Sequence, residues 1–163
     1  VHSNGYSLVR AIIKKAKLDL KKKYPELDKK RTLGQVLLEP TRIYVKPVLS
    51  AVEKFRKAKA ITGMAHITGS GLPGNICRAL PSHLDAKIYK QAWDLPPVFK
   101  FLQEKGGIAD AEMFDVFNMG IGYTVIVNPK KAADVAQFLM DAGEDVFAIG
   151  RIVSGKGDVV MID

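Results

Sequence analysis

One run of the chain gathers a histidine, two hydroxyl side chains and several glycines: His66-Ile67-Thr68-Gly69-Ser70-Gly71-Leu72-Pro73-Gly74. An imidazole titrates near neutral pH and can hold or move a proton. Glycine lacks Cβ, so a loop rich in it lets backbone N–H groups come close to a ligand. Leu72 to Leu80 reads as a helix with Pro73 near its first turn. A glycine loop that runs into a helix N-terminus suits an anionic group, often a phosphate. The spacing is that of neither a P-loop nor a dinucleotide fingerprint, and a plain strand-to-helix turn would use the same residues. Two further segments share the character. His2-Ser3-Asn4-Gly5 stands directly before a helical pattern, where Ser3 or Asn4 would cap the helix and its N–H groups would form another anion site. Phe117-Asn118-Met119-Gly120-Ile121-Gly122 leads into an apolar strand, and paired glycines there mean a bulge, close backbone packing or a third wall of one site.

Other chemistry finds little support. The three histidines are scattered, and Cys77 is the only cysteine, so no metal-ligand spacing is evident. There is no G-x-S-x-G elbow, and Ser70 has no base assignable to it. Cys77 falls among Ile76, Ala79 and Leu80 in the expected helix, which favours packing over nucleophilic use. A lone cysteine fits a reducing, cytoplasmic setting. His83, in a polar turn after Pro81, reads as a surface residue. The chain is better equipped to hold a polar, phosphorylated ligand than to attack one.

The elements that position these residues alternate between helix and strand. Helices are expected over residues 4–24, 32–38, 47–56, 72–80, 97–104, 110–117 (capped by Asp110) and 129–142. Strands are expected over 60–67, 86–92, 123–128, 146–153 and 159–162, the last two as a pair around Ser154-Gly155-Lys156-Gly157. No repeat, low-complexity tract or internal boundary is visible. The order predicts an α/β (α+β) fold: a single domain over 1–163, with one mixed β-sheet and helices packed against it.

With 163 residues, 47% of them hydrophobic, the chain has the length and composition of a globular domain. Its net charge of +8 is uneven: residues 1–59 hold 16 Lys+Arg against 5 Asp+Glu, whereas the remainder is slightly acidic. A basic stretch can bind polyanions. Here the apolar positions Leu8, Val9, Ile12, Ile13, Ala16 and Leu20 form one helical stripe and the lysines fall between them, facing water. No aromatic platform or nucleic-acid motif accompanies the charge, so no nucleic-acid partner is expected. No stretch reaches the ~18 apolar residues of a membrane span, and no membrane partner is expected.

Taken together, five stretches resemble one family: HSNGYSLVR at 2–10, LLEPTRIYVKP at 37–47, GMAHITGSGLPGNICRALP at 63–81, PPVFKFLQ at 96–103 and FNMGIG at 117–122. In that order they resemble the C-terminal domain of aminoimidazole ribonucleotide synthetase, or phosphoribosylformylglycinamidine cyclo-ligase. One departure is Gly69-Ser70-Gly71, where the family usually has three glycines. The resemblance implies ATP-dependent closure of the imidazole ring of formylglycinamidine ribonucleotide, with release of ADP and phosphate and with Mg2+ accompanying the nucleotide. It further implies a companion N-terminal domain that carries most of the ATP and Mg2+ binding, and a homodimer when complete. Because the sequence starts at Val1, inside a motif, it reads as an excised, processed or truncated domain, inactive alone.

By the same resemblance, the substrate wall comprises His2, Ser3, Asn4, Gly5, Thr68, Gly69, Ser70 and Gly71, with Asn118 and Gly120 nearby. His66 is the candidate catalytic residue, moving a proton or orienting the substrate by hydrogen bonding. Thr41, Arg42, Tyr44 and Lys46 cover the cleft or meet the companion domain, with Arg42 on a phosphate or in a structural ion pair. The alternatives are a related ATP-dependent enzyme (formylglycinamidine ribonucleotide synthetase, selenophosphate synthetase or thiamine monophosphate kinase) and a non-catalytic polyanion-binding domain.

Overall fold

The computed structural model describes all of residues 1–163. It divides the chain into two compact units, each assembled from separate stretches of sequence. The first contains Val1–Arg42, Ile67–Gly74 and Asp94–Gly122, and the second Ile43–His66, Asn75–Trp93 and Tyr123–Asp163. Three of the five divisions, at 42/43, 66/67 and 74/75, fall inside the motif stretches.

The first unit is helical. It contains α1 (Tyr6–Lys15), α2 (Leu33–Leu37), α5 (Pro97–Gly106), α6 (Asp110–Val116) and the start of α4 (Gly71–Ile76). Its core is formed by fully buried side chains that include Val9, Ile12, Leu33, Leu72, Phe99, Leu102, Met113 and Phe117. α1 packs against α5, where Lys15 Nζ also donates to Gly106 O at 2.9 Å.

The helix expected over 4–24 is much shorter. Lys17 takes a φ of +50°, and Leu18 N–H turns back to Ile13 O, which closes α1. Beyond it local polar groups compete with the helix: Lys21 N–H donates to Asp19 Oδ1 at 2.8 Å, and Asp19 N–H to the Tyr24 hydroxyl at 2.9 Å. The backbone is then tied across to α2, with Leu33 N–H on Lys22 O and Gly34 N–H on Leu20 O. Periodicity alone could not foresee those long-range bonds. The lysines of this stretch are exposed, as expected, but several stand on turns. Asp28 braces the same loop: Arg31 N–H, the Arg31 side chain and Lys30 N–H hold its carboxyl at about 2.

Two helix starts also differ. α1 is capped by Gly5 at φ +76°, with no side-chain cap from Ser3 or Asn4. α6 has Ala109 as its N-cap, and Asp110 stands one place inside, where with Glu112 it complements the helix dipole.

The second unit contains α3 (Val45–Phe55), α7 (Ala132–Asp141), β1 (Ile61–His66), β2 (Leu84–Tyr89), β3 (Tyr123–Val127), β4 (Gly150–Ser154) and β5 (Val159–Ile162). The end of α4 continues into a short 3-10 turn over Cys77–Ala79. Ala51, Ala60, Val135 and Leu139 form a buried core, with Phe55, Ile61, Val125, Val127 and Phe138 packed against it.

The α/β class expected from the sequence is what the structure has, but the strands lie in two sheets rather than one. β1 pairs antiparallel with β3, with a bulge between Ile61 and Gly63. The other sheet has the order β4-β2-β5, in which β2 runs antiparallel to β4 and parallel to β5. β4 and β5 are therefore not partners, contrary to the expected pair; β2 lies between them. The cause is the turn after β4. Asp85 Oδ1 accepts the N–H groups of Lys156 (2.7 Å), Gly157 (3.1 Å) and Asp158 (2.9 Å), so the turn wraps around the start of β2.

Those N–H groups, Lys156 first, pull the Asp85 carboxyl below its ordinary value of 3.8. A depressed carboxylate contributes stability that is present above the unfolded value and lost as pH falls through the folded one. Protection of the Lys156, Gly157 and Asp158 amides from exchange is thus expected to hold at neutral pH and to fall progressively below about pH 3.8. Asp85→Asn is expected to flatten that dependence in a hydrogen-exchange series. No helix of the chain is long and apolar enough to cross a membrane.

Candidate functional site

All ten residues expected on the substrate wall belong to the first unit. Its three glycine-bearing segments meet there, although they are far apart in sequence. Asn118 joins two of them. Its side chain is buried, at 5% exposure, which requires that its polar atoms be partnered. Oδ1 accepts Gly120 N–H at 3.1 Å, and Nδ2 lies 3.3 Å from His2 Nδ1. An amide nitrogen can only donate, so His2 Nδ1 accepts and, in the neutral ring, the proton resides on Nε2. One buried amide thereby fixes the 118–120 turn and the histidine tautomer. The turn is tight: Met119 has a φ of +49° and Gly120 of +98°, and Ile121 N–H closes on Asn118 O at 2.9 Å.

The 68–71 loop comes against the other two segments. A Cβ added to Gly69 would lie 3.7 Å from Asn4 Oδ1. Gly71 is buried at φ +55°, where a Cβ would fall 1.7 Å from the Phe114 carbonyl oxygen. A Cβ added to Gly5 would lie 2.3 Å from Phe117 Cε1. These glycines are required because backbone lies against backbone or ring. Ser70, the middle of the three positions at 69–71, keeps the left-handed conformation at φ +72°. Its carbonyl accepts Gly74 N–H at 3.0 Å in the first turn of α4, while Gly71 N–H bonds Thr68 O at 3.2 Å. Gly69 and Ser70 are exposed and Thr68 is half-buried.

Ser3 is exposed, and its hydroxyl meets that of Thr41 at 2.9 Å. The 2–6 and 37–41 segments border an open groove of about 320 Å³, at the lower end of small-molecule site sizes. Tyr6 lines it and donates its hydroxyl to Leu37 O; burial pushes this phenol above its ordinary 10.0. Sequence reasoning singled out Thr41 but not Tyr6, whose signal was its place one residue after Gly5 on the inner side of α1.

His66 belongs to the second unit, at the exposed end of β1. Its imidazole stacks on Tyr123 at a centroid distance of 5.9 Å and 26°, and meets Tyr44 edge-on at 5.9 Å and 67°. The role of Tyr123 was not apparent from its type; the signal was the antiparallel register that places it opposite His66. His83 is exposed and Cys77 half-buried, in keeping with surface and packing roles. No group of three or more His, Cys, Asp or Glu side chains is placed to hold a metal ion. In chemical terms the arrangement offers amide, hydroxyl and imidazole groups on a rigid glycine-rich frame. It suits the binding of a polar ligand.

The fold and the three converging loops define a mixed α/β domain with a glycine-rich polar surface. The sequence matches the family described as AIR synthase related protein, C-terminal domain, over residues 1–163, and the chain belongs to that family. It is similar to phosphoribosylformylglycinamidine cyclo-ligase from Bacillus licheniformis, at 48% identity over 160 residues, covering 98% of this chain and 44% of the relative. The enzyme of that name from Burkholderia mallei is 51% identical over 156 residues, 96% of this chain and 42% of the relative. That from Bacillus subtilis is 49% identical over 158 residues, 96% and 44% respectively. The chain thus spans less than half the length of these curated relatives.

Proposed function

We propose that this chain forms the substrate-side wall of a phosphoribosylformylglycinamidine cyclo-ligase and works with a preceding domain of the same protein. The reaction is the ATP-dependent closure of the imidazole ring of formylglycinamidine ribonucleotide, a step of purine biosynthesis in the cytoplasm, with ADP and phosphate released. The observation that carries this reading is the meeting of the 2–5, 68–71 and 118–120 segments in one unit, with Asn118 bonded to both His2 and Gly120. In this reading Ser3, Asn4, Thr68 and Ser70 present hydroxyl and amide groups to the ribose and phosphate. Gly5, Gly69, Gly71 and Gly120 permit the close approach of backbone that such a ligand needs. His2, whose Nδ1 meets Asn118 at 3.3 Å, adds an imidazole to that wall. His66, in the second unit, remains the candidate for holding or moving a proton.

ATP supplies the activation of the formyl oxygen. On the family resemblance it is assigned, with Mg2+, chiefly to the companion domain. The complete protein is read as a homodimer.

Calorimetry of the purified chain with formylglycinamidine ribonucleotide, beside ribose 5-phosphate and ATP, tests the reading. The ribonucleotide is expected to bind and Asn4→Ala to abolish the binding, while ATP gives no heat and no ADP is released. A ribonucleotide that fails to bind even after the companion domain is restored, or an Asn4→Ala variant that binds normally, would overturn it.

A further inference from the structure

We infer that Tyr44 and Tyr123 are positioning residues for His66: their rings bracket the imidazole and set the direction in which its nitrogens meet a ligand. The inference rests on the functional role proposed for His66 and specifies how that role is achieved. Strand geometry alone leaves the ring undetermined. His66 ends β1, in which Thr62, Met64 and His66 are the exposed positions. Alternation along a strand decides the face on which a side chain stands. It does not decide the rotation about χ1 and χ2, and an exposed histidine at a strand end has several staggered wells available.

Two rings remove that freedom. Tyr123 is the register partner of His66 across the β1–β3 ladder, and the two rings stack at 26°. Tyr44, the residue that precedes α3, meets the imidazole edge-on and also contacts the Tyr123 ring at 5.5 Å. The three centroids form a nearly equilateral triangle, so turning the imidazole breaks its contact with one ring or both. Offset-stacked and edge-to-face pairs are the arrangements aromatic rings prefer. Both tyrosines are anchored on regular structure, one by the ladder and one by the start of an 11-residue helix. The contacts are made by ring faces and edges, so phenylalanine should serve and leucine should not.

Displacement of a reacting group by about 1 Å can cost on the order of 100-fold in rate. In the complete cyclo-ligase carrying this chain, Tyr44→Leu and Tyr123→Leu are each expected to lower kcat by roughly 10- to 100-fold with KM little changed. The phenylalanine variants should retain activity. Histidine ring resonances, assigned to His66 by comparison with His66→Ala, are expected to move in the leucine variants and to stay in place in the phenylalanine ones. Met is the second replacement at either position should leucine unfold the protein by circular dichroism. If His66→Ala abolishes turnover while the leucine or methionine variants keep both kcat and the His66 resonances, the positioning inference falls and the role of His66 stands. If His66→Ala leaves turnover intact, the functional reading of His66 falls and the positioning role falls with it.

Discussion

Gly71→Ala is expected to be the most damaging single methyl group that can be added to this chain. The new Cβ would lie 1.7 Å from the Phe114 carbonyl oxygen, 2.8 Å from its carbon and 3.0 Å from the Phe117 oxygen. All three are backbone atoms, so no side-chain rotation relieves the clash. The φ of +55° adds a conformational penalty for any residue with a Cβ. Either the 68–71 loop moves away from the 114–117 segment or the helices there shift. A loss on the order of 4 kcal/mol or more is expected, read as a large fall in the urea midpoint. Gly69→Ala provides the contrast. Its nearest neighbour would be Asn4 Oδ1 at 3.7 Å, ordinary contact, in an exposed position. Stability should change by no more than about 0.5 kcal/mol. If Gly71→Ala unfolds at the same midpoint as the parent, the loop does not lie where it is described.

Asn118→Ala should combine a stability loss with a loss of ligand affinity. Removing the amide leaves Gly120 N–H and His2 Nδ1 without the partner each has now. The site is buried, so the cost is about 1–3 kcal/mol. A second effect falls on the site, because the 118–120 turn and the His2 ring both lose the group that orients them. On the substrate-wall reading proposed above, affinity for formylglycinamidine ribonucleotide is expected to fall at least about tenfold by calorimetry, equivalent to about 1.4 kcal/mol. Asn118→Asp separates the two roles. A carboxylate still accepts Gly120 N–H, but it also faces Nδ1 with an acceptor and therefore needs His2 protonated. Pairing of that kind raises the folded-state histidine pKa. Its stabilisation is present below the unfolded value of about 6.5 and lost as pH rises through the folded one. Asn118→Asp should thus be relatively more stable at pH 5 than at pH 8. Equal behaviour at both pH values would contradict the His2 contact.

Residue type and order picked out the candidate segments, but not their internal contacts. The glycines at 5, 71 and 120 take positive φ, a conformation that side chains with a Cβ rarely adopt. Their actual neighbours, a Phe117 ring and a Phe114 carbonyl, are set by packing between segments that no local pattern links. Element boundaries failed for the same reason. The stripe from Leu8 to Leu20 is periodic beyond Lys15, yet Lys22 O and Leu20 O are taken by α2 amides and the helix cannot continue. β4 and β5 look like a hairpin because a glycine-rich turn joins them. Only the three amide bonds to Asp85 show that the turn instead wraps over β2. Tyr123 carried no functional signal, since an aromatic residue at the start of a strand is ordinary until its register partner is known.

The pairing of α1 with α5 also has a consequence in time. α1 is complete once Lys15 has been made, but the helix that covers its apolar side begins only at Pro97. At translation rates of about 5–20 residues per second, that gap lasts on the order of 4–16 s. Throughout it the nascent chain would carry Val9 and Ile12 without their native cover. During synthesis this unit cannot close from its amino end; its folding must wait for sequence some eighty residues further on, and a chaperone has that interval in which to shield the helix.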